Sequence, residues 1–148
     1  MITVGSEAPD FELETHRREK VRLSNYRGKK NVVLAFHPLA FTPVCSTQMQ
    51  TYEKAKDRFA ALDAVIFGIS IDAGPSKNAW AQSLGGISFD LLSDFYPHGA
   101  VASKYGVMRD DGLTERAIIV VDKAGKVKWA KQYEIPEQPD LEQLLSAL

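Results

Sequence analysis

Cys45 is the only cysteine of the chain, and its neighbours give it a chemical setting. From Cys45 onward, Met49, Tyr52 and Phe59 follow at offsets of four, seven and fourteen, which predicts one helix running to about Leu62. Pro43 suits the helix entry, because the N–H it lacks would be unpaired there. Thr42 suits the N-cap position. Cys45 then lies in the first turn, where the leading amides have no internal acceptors and the helix dipole adds partial positive charge. That environment favours a thiolate, the nucleophilic form of cysteine. A second reading is available. Free cysteine is among the most buried residue types, so Cys45 can also be a small core residue on the Met49–Tyr52–Phe59 stripe. Position alone leaves both readings open.

The elements that must hold this helix can be read from the hydrophobic pattern. Asn31 to His37 carries the continuous apolar run Val32 to Phe36, the pattern of a strand buried on both faces. Val65 to Ile71 and Ala117 to Val121 read the same way. Two short strands, Asp10 to Glu14 and Lys20 to Leu23, flank a polar turn, and Ser24 to Gly28 is a polar connection. Pro75 opens a helix with Trp80 and Leu84, stopped near Gly85. Ile87 to Leu92 reads as a strand, and His98 to Tyr105 as a short helix ended by Gly106. Val127 to Ala130 returns antiparallel after the turn at Asp122 to Gly125. Leu141, Leu144, Leu145 and Leu148 mark a last helix. Strands alternating with helices predict an α/β fold: a central mixed sheet flanked by helices, with an N-terminal β-hairpin. Sites in such sheets form where strand ends meet helix starts, as at the junction of Asn31–His37 with the Cys45 helix.

Composition bounds the function classes. The 148 residues are 45% hydrophobic and 25% charged, with net charge −1. They fit a single domain over 1–148, with no repeat, linker or low-complexity tract. The near balance of charge gives no reason to expect nucleic acid or an anionic membrane as partner. No apolar stretch approaches the roughly 20 residues that span a bilayer, and Met1 to Pro9 does not read as a signal peptide. One thiol cannot close an internal disulfide or build a zinc site from several cysteines, so a cytoplasmic protein without a metal is the expectation.

The segment Pro38–Leu39–Ala40–Phe41–Thr42–Pro43–Val44–Cys45 resembles the peroxiredoxin signature: a proline, a threonine four residues on, and a cysteine three beyond that. The likeness covers nearly the whole chain. Val4 to Phe11, Leu23 to Gly28, Leu92–Ser93–Asp94, Tyr105–Gly106–Val107 and Arg116 leading into Ala117 to Asp122 also resemble that family. The resemblance implies a thioredoxin-like fold and decides between the two readings of Cys45. It implies that Cys45 attacks one peroxide oxygen and becomes a sulfenic acid. By the same likeness Thr42 hydrogen-bonds thiolate and peroxide, Pro38 shields the site from water, and Arg116 sets its guanidinium beside the sulfur. Amides of Val44 and Cys45 can add donors. Without the likeness, Arg116 reads as a solvated charge at a strand entrance. The family needs no metal, flavin or haem, since sulfur carries the electrons.

Two departures from the family pattern bear on mechanism. A second, resolving cysteine is missing, and Gln50 stands where one subgroup carries it. The sulfenic acid is then expected to be reduced by an external thiol, either a small one or a thioredoxin- or glutaredoxin-like protein. This is the pattern of one-cysteine peroxiredoxins of the bacterioferritin-comigratory or alkyl hydroperoxide reductase E type. Gln48 stands where relatives often have Glu, and it can accept a hydrogen bond from Arg116 but not form an ion pair. The expected substrates are hydrogen peroxide and small organic hydroperoxides. The alternative is a peroxide sensor that passes oxidation from Cys45 to a partner protein. A Cys–His pair through His37 is disfavoured, because such pairs need hydrogen-bond reach and the end of a buried strand does not supply it. Trp80 and Tyr52 read as core or interface residues. The Asp111–Gly112 turn leads to Arg116 and is expected to border the site. By analogy with the family, a homodimer through the Phe41 region is expected.

Overall fold

The three apolar runs form the middle of one seven-stranded sheet in the structure, a computed structural model that describes all 148 residues. β3 (Asn31–Phe36) pairs in parallel with β4 (Ala64–Ser70), from Asn31 opposite Ala64 to Phe36 opposite Ile69. β4 pairs in parallel with β5 (Asp90–Ser93). On the other side of β3, β6 (Arg116–Val121) runs antiparallel and is followed by β7 (Val127–Tyr133). The hairpin of β1 (Glu12–Thr15) and β2 (Lys20–Arg22) joins the β5 edge, giving the order β2-β1-β5-β4-β3-β6-β7.

Strand alternation divides the core into two. Val33, Ala35, Ile66, Ile118 and Val120 face one side, where they meet α1 (Pro43–Lys54), α2 (Lys56–Ala61), α3 (Gly74–Ser83) and α5 (Leu141–Ser146). Val32, Leu34, Phe36, Phe67 and Ile119 face the other, covered by α4 (Ala100–Lys104) and the N-terminal segment around Ala8 and Phe11. Arg116 has the parity of Ile118 and Val120, and His37 that of Val33 and Ala35. Both therefore project toward the α1 face, the face that carries Cys45. Gly68 lets α1 approach: a Cβ there would lie 2.8 Å from Leu91 Cδ2 and 3.0 Å from Met49 Sδ.

Several boundaries differ from expectation, each for a local reason. The single helix expected to run to about Leu62 is two, with Ala55 at φ −95° and ψ 9° between them. Tyr52 and Phe59 nevertheless stay in one cluster with Cys45 and Met49. The strand expected from Ile87 starts at Asp90, where β4 first offers a partner. The backbone of Ile87 and Ser88 is instead taken by the side chains of Arg17 and Glu53. Leu23 belongs to a 3-10 turn, Leu23–Tyr26, rather than to β2. The return strand continues past Ala130 to Tyr133. No helix is long and apolar enough to cross a membrane.

Candidate active site

The site is built where β3 ends and α1 begins. His37 N–H still donates to Ile69 O at 2.9 Å, so the parallel ladder extends one residue past Phe36. The chain then leaves the sheet through Pro38 to Thr42, and two contacts hold this loop and its entry. Thr114 Oγ1 donates to His37 O at 2.6 Å. Ala40 N–H donates to Asp72 Oδ2 at 2.9 Å, and Asp72 also accepts from Ser70 Oγ at 2.6 Å. Phe41 sits at φ 64°, a left-handed conformation that costs a residue with a Cβ free energy and persists where surrounding contacts hold it.

Thr42 occupies the N-cap position by its backbone, and Ser46 N–H donates to its carbonyl at 2.9 Å. Its side chain does not cap the helix. The hydroxyl donates to Leu39 O at 2.6 Å and makes no hydrogen bond to Cys45. Two consequences follow. The hydroxyl oxygen keeps its lone pairs for an incoming donor, and the amides of Val44 and Cys45 have no backbone acceptor. The helix start is left electropositive beside the sulfur.

Cys45 itself is fully buried. Its sulfur faces Arg116, whose Nη1 and Nη2 each lie 3.4 Å from Sγ. The β3–β6 register explains the meeting. Phe36 pairs with Ala117, so Arg116 lies at the level where β3 hands the chain to the Cys45 loop. The guanidinium is fixed on two further sides. Nε donates to Ile135 O at 2.9 Å, and Nη1 donates to Gln48 Oε1 at 3.0 Å. Gln48 Nε2 in turn donates to Tyr52 Oη at 3.0 Å, and burial pushes the Tyr52 phenol upward, keeping it neutral. Arg116 is 2% exposed and forms no ion pair with any carboxylate.

An open pocket of about 250 Å³ lies against these residues. Thr42 and Arg116 line it together with Pro38, Leu39, Pro43, Val44, Leu113, Ile135 and Pro136. Its walls are mainly hydrocarbon, and the guanidinium and the Thr42 hydroxyl are its chief polar groups. No group of three or more His, Cys, Asp or Glu side chains that could hold a metal ion occurs.

The structure thus places Arg116 in contact with both Cys45 and Gln48, and brings Thr42, Pro38 and Val44 to the adjoining pocket wall. The segment after Gly112 borders the site through Leu113 and Thr114. Trp80 and Tyr52 are core residues, and Trp80 Nε1 donates to Ser46 Oγ at 3.0 Å. His37 does not meet the sulfur: its Nε2 faces Lys77 Nζ at 3.2 Å. The segment after β7 went unrecognised in the sequence. Ile135 supplies a carbonyl to Arg116, and Pro136 supplies pocket wall. Gln138, with its amide oriented to satisfy both groups, donates to Val44 O at 3.3 Å and accepts from Gln48 N–H at 3.2 Å. No periodicity marks this loop, which meets the site through one carbonyl, a proline wall and a side-chain amide.

A thioredoxin-like α/β sheet that presents one cysteine at an uncapped helix start, under a buried arginine, defines a class of thiol-redox protein. The chain belongs to the AhpC/TSA family, the peroxiredoxins, whose model matches residues 4–130. It is 39% identical over 141 residues to alkyl hydroperoxide reductase E of Mycobacterium bovis, covering 95% of this chain and 92% of that one. It is 36% identical over 135 residues to the chloroplastic 2-Cys peroxiredoxin BAS1 of Spinacia oleracea, covering 84% of this chain and 50% of the relative. Among solved structures, the peroxidoxin BcpB of Mycobacterium tuberculosis superposes with a TM-score of 0.86 at 27% identity, covering 99% of this chain and 96% of that one. The reduced 2-Cys peroxiredoxin of Plasmodium vivax superposes with a TM-score of 0.89 at 30% identity, covering 98% of this chain and 79% of that one.

Proposed function

We propose that this chain, acting as one domain over residues 1–148, is a one-cysteine thiol peroxidase in which Cys45 reduces hydrogen peroxide and small organic hydroperoxides. The observation that carries this reading is the pair of guanidinium nitrogens 3.4 Å from the only sulfur nucleophile in the chain. Family membership and the 39% identical alkyl hydroperoxide reductase E support it.

The thiolate attacks the terminal oxygen of R–O–O–H. The S–O bond forms as the O–O bond breaks, giving Cys–SOH and an alkoxide that takes a proton to leave as ROH. Arg116 and the free amides of Val44 and Cys45 meet the charge as it moves from sulfur to the departing oxygen. Thr42, whose own proton is committed to Leu39 O, accepts the peroxide O–H and aims the oxygen at the sulfur. Pro38 and the hydrocarbon wall of Leu39, Leu113, Ile135 and Pro136 limit water and suit an organic R group. Gln48 holds Arg116 without neutralising it.

The 148 residues contain no second cysteine, so an external thiol R′SH completes the cycle. It condenses with Cys–SOH to a mixed disulfide and water, and a second R′SH releases Cys45 as thiol with R′S–SR′ formed. A small thiol or a thioredoxin- or glutaredoxin-like protein fills this role, which suits a reducing compartment such as the cytoplasm. The exposed Phe41, 59% accessible on the loop that carries the signature, supports self-association of two copies through that loop.

The test is stopped-flow mixing with hydrogen peroxide, following Trp80 and Trp129 fluorescence together with sulfenate trapping. The parent should lose one thiol per chain quickly and turn over when a thiol is added, and Cys45→Ser should form no sulfenate. Equal peroxide consumption by both proteins would reject the reading. Oxidation that stops at one equivalent despite added thiols would favour the sensor.

A further inference from the structure

Arg116 turns its fork squarely to the sulfur, with Nη1 and Nη2 both 3.4 Å from Cys45 Sγ. Two bonds fix the plane of that fork: Nε to Ile135 O at 2.9 Å and Nη1 to Gln48 Oε1 at 3.0 Å. With the Ile135 bond alone, the plane could pivot about a single anchor and the two sulfur contacts would come apart. The aim of the fork therefore depends on Gln48.

Gln48 can hold a guanidinium by its oxygen only. A guanidinium carries donors and no acceptor, whereas an amide is an acceptor at one end and a donor at the other. Turning Oε1 to Arg116 points Nε2 the other way, inside a residue that has no exposed surface. A donor left unpaired there costs more than an ordinary hydrogen bond contributes. Its one partner is Tyr52 Oη at 3.0 Å, four residues on along the same face of α1. Tyr52 is itself buried, with its ring edge-on to Phe59 at 5.8 Å. Burial keeps the phenol neutral, so it accepts from Gln48 without adding an anion near the sulfur. Tyr133, opposite Arg116 in the β6–β7 ladder, buries a hydroxyl that makes no hydrogen bond, so the line of contacts from the sulfur ends at Tyr52.

We propose that Tyr52 is a positioning residue for Cys45: by accepting from Gln48 Nε2, its hydroxyl pairs the far end of that amide, keeps Oε1 on Arg116 and so holds the guanidinium fork on the sulfur. Tyr52 acts through two other side chains and touches no reacting atom. A carboxylate at position 48 would not need this hydroxyl, since both its oxygens accept and its charge alone holds an arginine. Gln48 and Tyr52 together hold Arg116 without such a charge, which leaves the whole cation to the thiolate. This deepens the peroxidase reading and rests on it only for its biological use.

The experiment follows the ionised fraction of Cys45 against pH, by ultraviolet thiolate absorbance and by iodoacetamide alkylation, in the parent, Tyr52→Phe, Gln48→Glu and the double variant. Tyr52→Phe alone should raise the midpoint by roughly 0.5–1 pH unit, leaving about 3- to 10-fold less thiolate on the acid side. In the Gln48→Glu background the same change should move the midpoint by less than about 0.3 unit. An equal shift in both backgrounds, or none in the first, would make the hydroxyl a packing feature and overturn the proposal. A second readout needs no change at Tyr52. The Gln48 side-chain amide of the parent, assigned by NMR from its loss in Gln48→Glu, should exchange its hydrogens with solvent at least about tenfold more slowly than exposed glutamines do. Exchange at the exposed rate would likewise overturn the proposal. Neither readout uses peroxide, so the expected shifts in a protein that fails to consume peroxide would keep this inference and reject the peroxidase reading.

Discussion

Two helix starts in this molecule face the same problem and answer it differently. At α5, Asp140 accepts from the amides of Glu142 at 2.9 Å and Gln143 at 3.3 Å, so the leading donors are satisfied by the chain itself. At α1, Thr42 stands in the equivalent place with an oxygen that could do the same, yet its hydroxyl is turned to Leu39 O and the leading amides stay open. The α5 start serves stability. The α1 start lacks that stabilisation and leaves its positive end open beside Cys45. A helix start with a competent cap residue turned aside is thus a more telling sign of chemistry than the cysteine alone.

Exchanging the two solutions gives the largest expected effect. Thr42→Asp would let a carboxylate occupy the open amides and set a negative charge beside the thiolate. The single-turnover peroxide rate should fall by about 10²–10³-fold with thermal stability retained, and a parent-like rate would break the contrast between the two helix starts. Gln48→Met comes next, removing one anchor of Arg116 while Ile135 O keeps the other. A loss of about tenfold in the same rate is expected, with little change in the peroxide concentration for half-saturation. Asp140→Ala is the smallest and acts on a different axis. Uncapping α5 should cost about 1 kcal/mol in denaturant unfolding and leave the peroxide rate untouched; a slowed rate would mean the α5 end also shapes the site.

The central strands and the cysteine helix could be read from the sequence because burial on both faces writes a continuous apolar run, and a helix writes a stripe. Thr42 and Cys45 stood out as the start of that helix, and the likeness of the contiguous segment Pro38 to Cys45 to a family chose between the readings of Cys45 and added Pro38. Arg116 is a different case. Its charge argued for solvent, and only the likeness to a family placed it inward; strand parity and the Phe36–Ala117 register supply the physical reason. Lys77 misleads in the same way, since a lysine in an amphipathic helix reads as the wet face until three acceptors are found around it. The break at Ala55 involves no Pro or Gly, and so leaves no mark. The contributions of Ile135 and Gln138 depend on where the chain returns after β7, which tertiary packing decides.

The central claim is that the guanidinium beside Cys45 makes the sulfur reactive, and the rate of sulfenic acid formation at pH 7 tests it most directly. In single-turnover mixing with hydrogen peroxide, Arg116→Met should react about 10²–10³-fold more slowly than the parent while keeping its circular dichroism spectrum. Equal rates in the two proteins would contradict the account.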